Sequence, residues 1–198
     1  MHSPADSSPV LDASSSGGPA TLDGLYPLGE LLAQRPDVSV RHFDRDRGDM
    51  PEPYRSLLVH DQDMTSTLEK HHREPLELCR VESRRSAGAL WRQVLLVGRY
   101  SGEIREAGAI RIDLRHFDAA ARWEVLEGQK PLGAILADHR ITYVSRPRAF
   151  FAFDATRQTD RLLGLSARGQ TLYGRQNRLS TSAGVLADVV EILPPVER

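Results

Sequence analysis

The chain has 198 residues, enough for one domain with a sizeable core, and 26 Lys+Arg against 27 Asp+Glu leave a formal charge of −1. Such a balance supplies no global field to hold nucleic acid or an anionic membrane, so neither is expected as a partner. The single cysteine, Cys79, excludes an intramolecular disulfide and a cysteine-based zinc cluster, and its place in a strand-like run predicts a buried thiol. No apolar run approaches the roughly 20 residues of a membrane span. The N-terminus lacks the basic-then-apolar order of a secretory signal, so a cytoplasmic protein, expected as a monomer, is the reading.

Residues 1–20 are rich in Ser, Gly, Pro and Ala without apolar periodicity and are expected to form a disordered tail. Residues 21–52 read as a lead-in, with a short helix over Tyr26–Gln34 ended by Pro36 and a charged, irregular stretch over Arg41–Met50. The remaining residues, 53–198, carry the domain. Pro53–His60 predicts a short helix, and the Ser66-Thr67-Leu68-Glu69 pattern places the start of another near Thr65, running to His72 or Arg73. From Leu76 the apolar period becomes two, giving a first strand. Leu90–Tyr100 and Ile104–Asp113 follow as strands joined by a hairpin at Ser101-Gly102-Glu103. A helix is expected over Phe117–Leu126, stopped by Gly128, and a shorter one over Leu132–Ala137 after Pro131. Ile141–Phe153 is β-branched and aromatic, with Pro147 marking an irregularity, and Leu172–Leu179 with Val185–Leu193 forms a last hairpin. Hairpin-joined strands with helices gathered into a few insertions predict an α+β fold: a single antiparallel sheet with helices packed on one side and over a ligand cavity.

Among the charged residues Arg92 stands out. It shares a strand face with Val94 and Leu96, and both faces of that strand are mostly apolar, so a guanidinium there needs a partner. Other constellations offer less. His71 and His72 are adjacent on a helix and point about 100° apart, so they do not chelate one ion together, and no metal site is assigned. No Gly-x-Ser-x-Gly elbow, Walker loop or Gly-x-Gly-x-x-Gly segment is present. Gly174-Arg175-Gln176-Asn177-Arg178 is basic but reads as strand and turn rather than an RNA contact.

Asp63-Met64-Thr65, then Trp91-Arg92-Gln93-Val94-Leu95-Leu96, then Pro131-Leu132-Gly133 and finally Glu191 on the terminal strand form an ordered set over about residues 54–196. In order and spacing this set resembles the chorismate pyruvate-lyase family. The resemblance implies a cofactor-free lyase that cleaves chorismate to 4-hydroxybenzoate and pyruvate, with a single antiparallel sheet as its scaffold. Chorismate is a dianion, and aromatisation drives loss of enolpyruvate, so the protein must orient the substrate and stabilise developing charge. On the family's pattern Arg92 grips a substrate carboxylate, which a planar guanidinium can do bidentately. Met64 and Leu132 line the cavity, and Glu191 approaches the hydroxyl of the product. Where the family has an arginine after Ala-Gly, this chain has Ala109 after Ala107-Gly108. Arg111, two residues on and hence on the same face as Ala109, is the candidate replacement. An ungapped alignment from Gly174-Arg175 puts Val190 at the acid position, leaving Glu191 with a bulge, or Asp188 without one, as the acid. The catalytic pair is thus Arg92 and Glu191, and the substrate-binding set is Met64, Arg92, Arg111, Leu132 and Glu191.

A second function class shares this fold: ligand-sensing domains of transcription regulators bind small anions without turning them over. Those carry a winged-helix domain before the sensor, and residues 1–50 are too short and too poor in helix pattern for one. A free-standing domain that binds a small aromatic acid is therefore the alternative to the lyase.

Overall fold

The computed structural model describes residues 21–32, 36–44, 49–86 and 88–196. The expected disordered tail over 1–20 lies outside the described residues. In chain order the helices are α1 (Leu28–Leu31), α2 (Tyr54–Leu58), α3 (Met64–His72), α4 (Ala119–Glu127), α5 (Leu132–Asp138) and α6 (Arg157–Leu163). The strands are β1 (Arg41–Phe43), β2 (Leu76–Ser86), β3 (Ala89–Gly98), β4 (Ile104–Asp113), β5 (Val144–Asp154), β6 (Thr171–Thr181) and β7 (Gly184–Leu193). All seven join one antiparallel sheet in the order β1-β5-β6-β7-β4-β3-β2, which is the α+β architecture the hairpin pattern predicts.

Local chemistry sets the ends of the helices. Asp63 caps α3 by accepting the Ser66 N–H at 2.8 Å, so α3 begins at Met64, and the Ser66/Glu69 pair is not the cap. Glu69 instead accepts the Leu76 N–H at 3.0 Å and fastens α3 to the first residue of β2. Asp118 caps α4, which stops at Gly128 in the left-handed conformation, as expected of a glycine there. Pro147 coincides with a register shift between β5 and β6, the irregularity its missing N–H foretells.

Other features differ from the sequence expectations. Arg41–Phe43, read as irregular, forms β1 by pairing with Phe150–Ala152 of β5. Cys79 is exposed, because β2 is an edge strand with little packed over it beyond its first residues.

Both faces of the sheet are covered. On one, Phe151, Phe153, Leu172, Val190 and Ile192 pack against Leu25, Leu28 and Leu31 and against Leu163 of α6. The other carries the longer helices in two groups. Val125, Ile135 and Leu136 of α4 and α5 cover Leu90, Ile112 and Ala187, whereas Leu57, Leu58, Met64 and Leu68 of α2 and α3 cover Leu96, Phe150 and Leu193. Full burial of side chains such as Leu68 and Ile135 is worth roughly 1.5–3 kcal/mol each. A cavity remains between the two helical groups over the middle of the sheet.

Candidate functional site

The cavity encloses about 100 Å3. Its floor is the sheet, with Arg92, Val94 and Leu96 of β3, Glu106 and Gly108 of β4, Glu191 of β7 and Arg175 of β6. Its roof is the N-terminal ends of α3 and α5, with Asp63 and Met64 on one side and Pro131, Leu132 and Gly133 on the other. Register explains the floor. Arg92 pairs with Ile110, Val94 with Gly108, Gly108 with Glu191 and Glu191 with Arg175, so these positions stand in adjacent rows on the same face.

Four residues of the sequence-derived set therefore come together: Met64, Arg92, Leu132 and Glu191 all line the cavity. Arg111 does not. Because Trp91 pairs with Arg111 and Arg92 with Ile110, Arg111 lies on the opposite face, where its guanidinium sits 5.6 Å from the Trp91 ring centroid and that of Arg84 sits 5.2 Å from it. Asp188 is also on that far face, bound to Arg178 Nε at 2.7 Å, so Glu191 is the acid that reaches the cavity.

Arg92 is 2% exposed, and its Nε and Nη1 make no hydrogen bond. Burial first, and the nearby charge of Arg80 second, lower its pKa to about 10, which leaves it protonated at neutral pH. Gly128 explains how the two arginines fit beneath the end of α4. With φ at +67°, it turns the chain so closely that a Cβ there would lie 3.3 Å from Nη1 of both Arg80 and Arg92. Arg80 Nη1 donates to the Glu127 carbonyl at 3.3 Å, so the carbonyl end of α4 holds Arg80.

Sequence reasoning missed Arg175 and Glu106. Arg175 is fully buried and gives its Nε–H to the Glu191 carboxylate. Its other nitrogens donate to backbone oxygens of the α2–α3 connection: Nη1 to Leu58 at 3.2 Å and His60 at 2.9 Å, and Nη2 to Gln62 at 3.3 Å. His60 is held below its ordinary pKa by burial first and by the Arg175 charge second. A neutral ring with its proton on Nε2 satisfies its contacts, donating to the Leu57 carbonyl at 2.7 Å and accepting at Nδ1 from the Gln62 N–H and from Arg175 Nη1.

Glu106 is 5% exposed, with Oε2 buried and unpartnered. Burial drives its pKa well above the usual carboxylate range, and the charge of Glu191 pushes the same way against the partial offset of Arg175. On the floor Arg175 and Glu191 neutralise each other, burial favours the uncharged form of Glu106, and Arg92 keeps a positive charge without a partner, while Asp63 stands at the roof, where it caps α3. A signal for Glu106 existed in the sequence, since it alternates with Gly108, Ile110 and Ile112 along β4 as the sole ionisable member of an apolar face.

No family model and no curated protein sequence matches the chain. Solved structures do. PhnF from Mycobacterium smegmatis superposes with a TM-score of 0.52 at 10% identity, covering 69% of this chain. The chain spans 65% of the length of that protein. A GntR-family transcriptional regulator from Bacillus cereus aligns at a TM-score of 0.42 and 10% identity over 62% of this chain and 95% of that one. The C-terminal domain of the histidine utilization repressor from Pseudomonas syringae pv. tomato aligns at 0.41 and 11% over 62% and 96%. At these identities the likeness to PhnF is one of fold.

Proposed function

We propose that the cavity binds a small organic monoanion, an aromatic carboxylate of one ring, and holds it without turnover. The observation that carries this reading is the buried guanidinium of Arg92 in the cavity floor, whose Nε and Nη1 lack partners. A carboxylate supplies both a counter-ion and strong acceptors at that point. The lining supports the same class, since Val94, Leu96, Ile110 and Leu132 offer an apolar wall to a ring beside the guanidinium. In a calorimetric titration benzoate and 4-hydroxybenzoate are expected to bind, and in a melting experiment to raise the Tm. Arg92→Met should abolish both effects in a protein that still folds. Full retention of binding by that variant would sink the reading.

The gathering of Met64, Arg92, Leu132 and Glu191 around one cavity favours a second reading, the cleavage of chorismate to 4-hydroxybenzoate and pyruvate. Against it, a dianion would meet one uncompensated cation, and Glu191 is already committed to Arg175. Arg111, the second arginine of that scheme, is on the wrong face. Metal-free incubation with chorismate, followed by chromatography, separates the two: stoichiometric release of both products establishes the lyase, and untouched chorismate leaves the binding reading.

A further inference from the structure

We propose that Glu106 reads the end of the ligand away from Arg92, donating a hydrogen bond from its carboxyl group to a neutral acceptor atom. The ligand class is thereby narrowed to monocarboxylic acids that carry an uncharged acceptor at the far end of the ring. This inference rests on the anion-binding reading above and deepens it.

Glu106 and Arg92 lie at opposite ends of the same floor. Glu106 pairs with Leu96 and Arg92 with Ile110, a separation of four residues, or about 13 Å of strand. Space beside the carboxyl is kept by Gly108, where a Cβ would stand 2.9 Å from Glu106 Oε1 and 3.3 Å from Val94 Cγ2. The groups facing Glu106 leave it no cation of its own. Arg175 spends its donors on Glu191, Leu58, His60 and Gln62. Tyr143, which shares the cavity lining, has its pKa raised by burial first and keeps its phenol proton. Glu191 and Asp63 contribute negative charge, and Arg92 is at the other end. A carboxylate in that setting would be an unpaired buried anion, whereas a carboxylic acid is a buried O–H in need of an acceptor, and Oε2 has no protein partner. The same negative surroundings exclude a ligand with a second carboxylate at this end.

The test uses the whole chain, calorimetry at pH 7 and three ring acids that differ at the para position. Benzoate offers a C–H at the para position, isonicotinate a ring nitrogen acceptor, and terephthalate a second carboxylate. Isonicotinate is expected to bind about three- to tenfold more tightly than benzoate, the worth of one neutral hydrogen bond. Terephthalate should bind at least about tenfold more weakly than benzoate, because its second charge is unpaired. In Glu106→Val benzoate should still bind and the preference for isonicotinate should vanish. Glu106→Gln keeps an N–H donor and should keep the preference. Equal binding of benzoate and isonicotinate by the unaltered protein overturns the role of Glu106 and leaves the anion site standing. Absence of binding by all three acids overturns both.

Discussion

At Arg92 a charge is buried with two of its N–H groups unbonded, an arrangement that burdens the ligand-free protein. Replacing a poorly paired buried charge by an apolar side chain of similar length commonly stabilises by about 1–4 kcal/mol. Arg92→Met is therefore expected to raise the urea midpoint of the ligand-free protein while eliminating carboxylate binding; a lowered midpoint would reveal a strong partner for the guanidinium. Arg175 is the opposite case, since its three guanidinium nitrogens all find partners, in the Glu191 carboxylate, three backbone oxygens and the His60 ring. Arg175→Met would strand Glu191 and release the α2–α3 connection, a loss of about 3–5 kcal/mol measured by equilibrium unfolding. These residues were unequally legible. Arg92, Met64, Leu132 and Glu191 could be placed because each stands in a local pattern that the structure preserves. Arg111 could not, because the face it shares with Ala109 is fixed by the register against β3, which puts it beside Trp91. Arg175 and Glu106 depend on partners two or more strands away, which alternation along one strand does not disclose.

The roof is built where two helices start. Asp63 caps α3, and its Oδ1 would stand 2.9 Å from a Cβ placed on Gly133 in the first turn of α5, so the two helix ends close on each other at that point. Asp63→Ala should cost about 1 kcal/mol through the lost cap, lowering the Tm, and should speed ligand release by loosening one wall. An unchanged release rate in stopped-flow exchange would show that the roof does not gate the cavity. Elements with strong periodicity or clear punctuation were readable: β2, β3, β4 and the β6–β7 hairpin from alternation, and the ends of α4 and α5 from Gly128 and Pro131. β1 was not, because its three residues owe their conformation to pairing with β5, far along the chain. α6 also escaped. Its start is held by reciprocal bonds between Thr156 and Thr159 rather than by the Ser/Thr-x-x-Glu pattern, and its seven residues are too few to show a period.

Across the whole molecule the titrating groups pull stability in two directions. Glu74 binds the backbone N–H groups of Tyr100 and Ser101 and the side chains of Ser101 and Arg105; its bond to Arg105 first, then that to Ser101, lower its pKa to about 2. Asp113 is lowered to about 2 chiefly by Arg115, and His72 to about 4 by burial first and then by Arg105. In all three the native state binds fewer protons than the unfolded chain. Their contribution is complete above the unfolded pKa values and is lost as pH falls, from about 6.5 towards 4 for His72 and from about 4 towards 2 for the acids. Glu106 has the reverse sign: its native pKa is raised, so its contribution is full below the unfolded value and declines as pH rises towards the native one. The Tm is expected to climb from pH 3 to about 6 and then to decline gently. In Glu106→Gln the limb below about pH 4 should be unchanged, and above it the Tm should climb further and decline less. A parallel shift of the whole profile would assign the effect of that substitution to packing instead of protonation.

The grip of Arg175 on the α2–α3 connection uses main-chain oxygens of Leu58, His60 and Gln62, apart from one contact with the His60 ring. A clamp that holds carbonyls is largely indifferent to which side chains those residues carry. Substitutions in this connection, whose Gln62 faces the cavity, can therefore accumulate without unfastening it. That decouples the scaffold from its selectivity: descendants of this chain can drift towards new acids by changing the wall, while the sheet arginine keeps the wall in place.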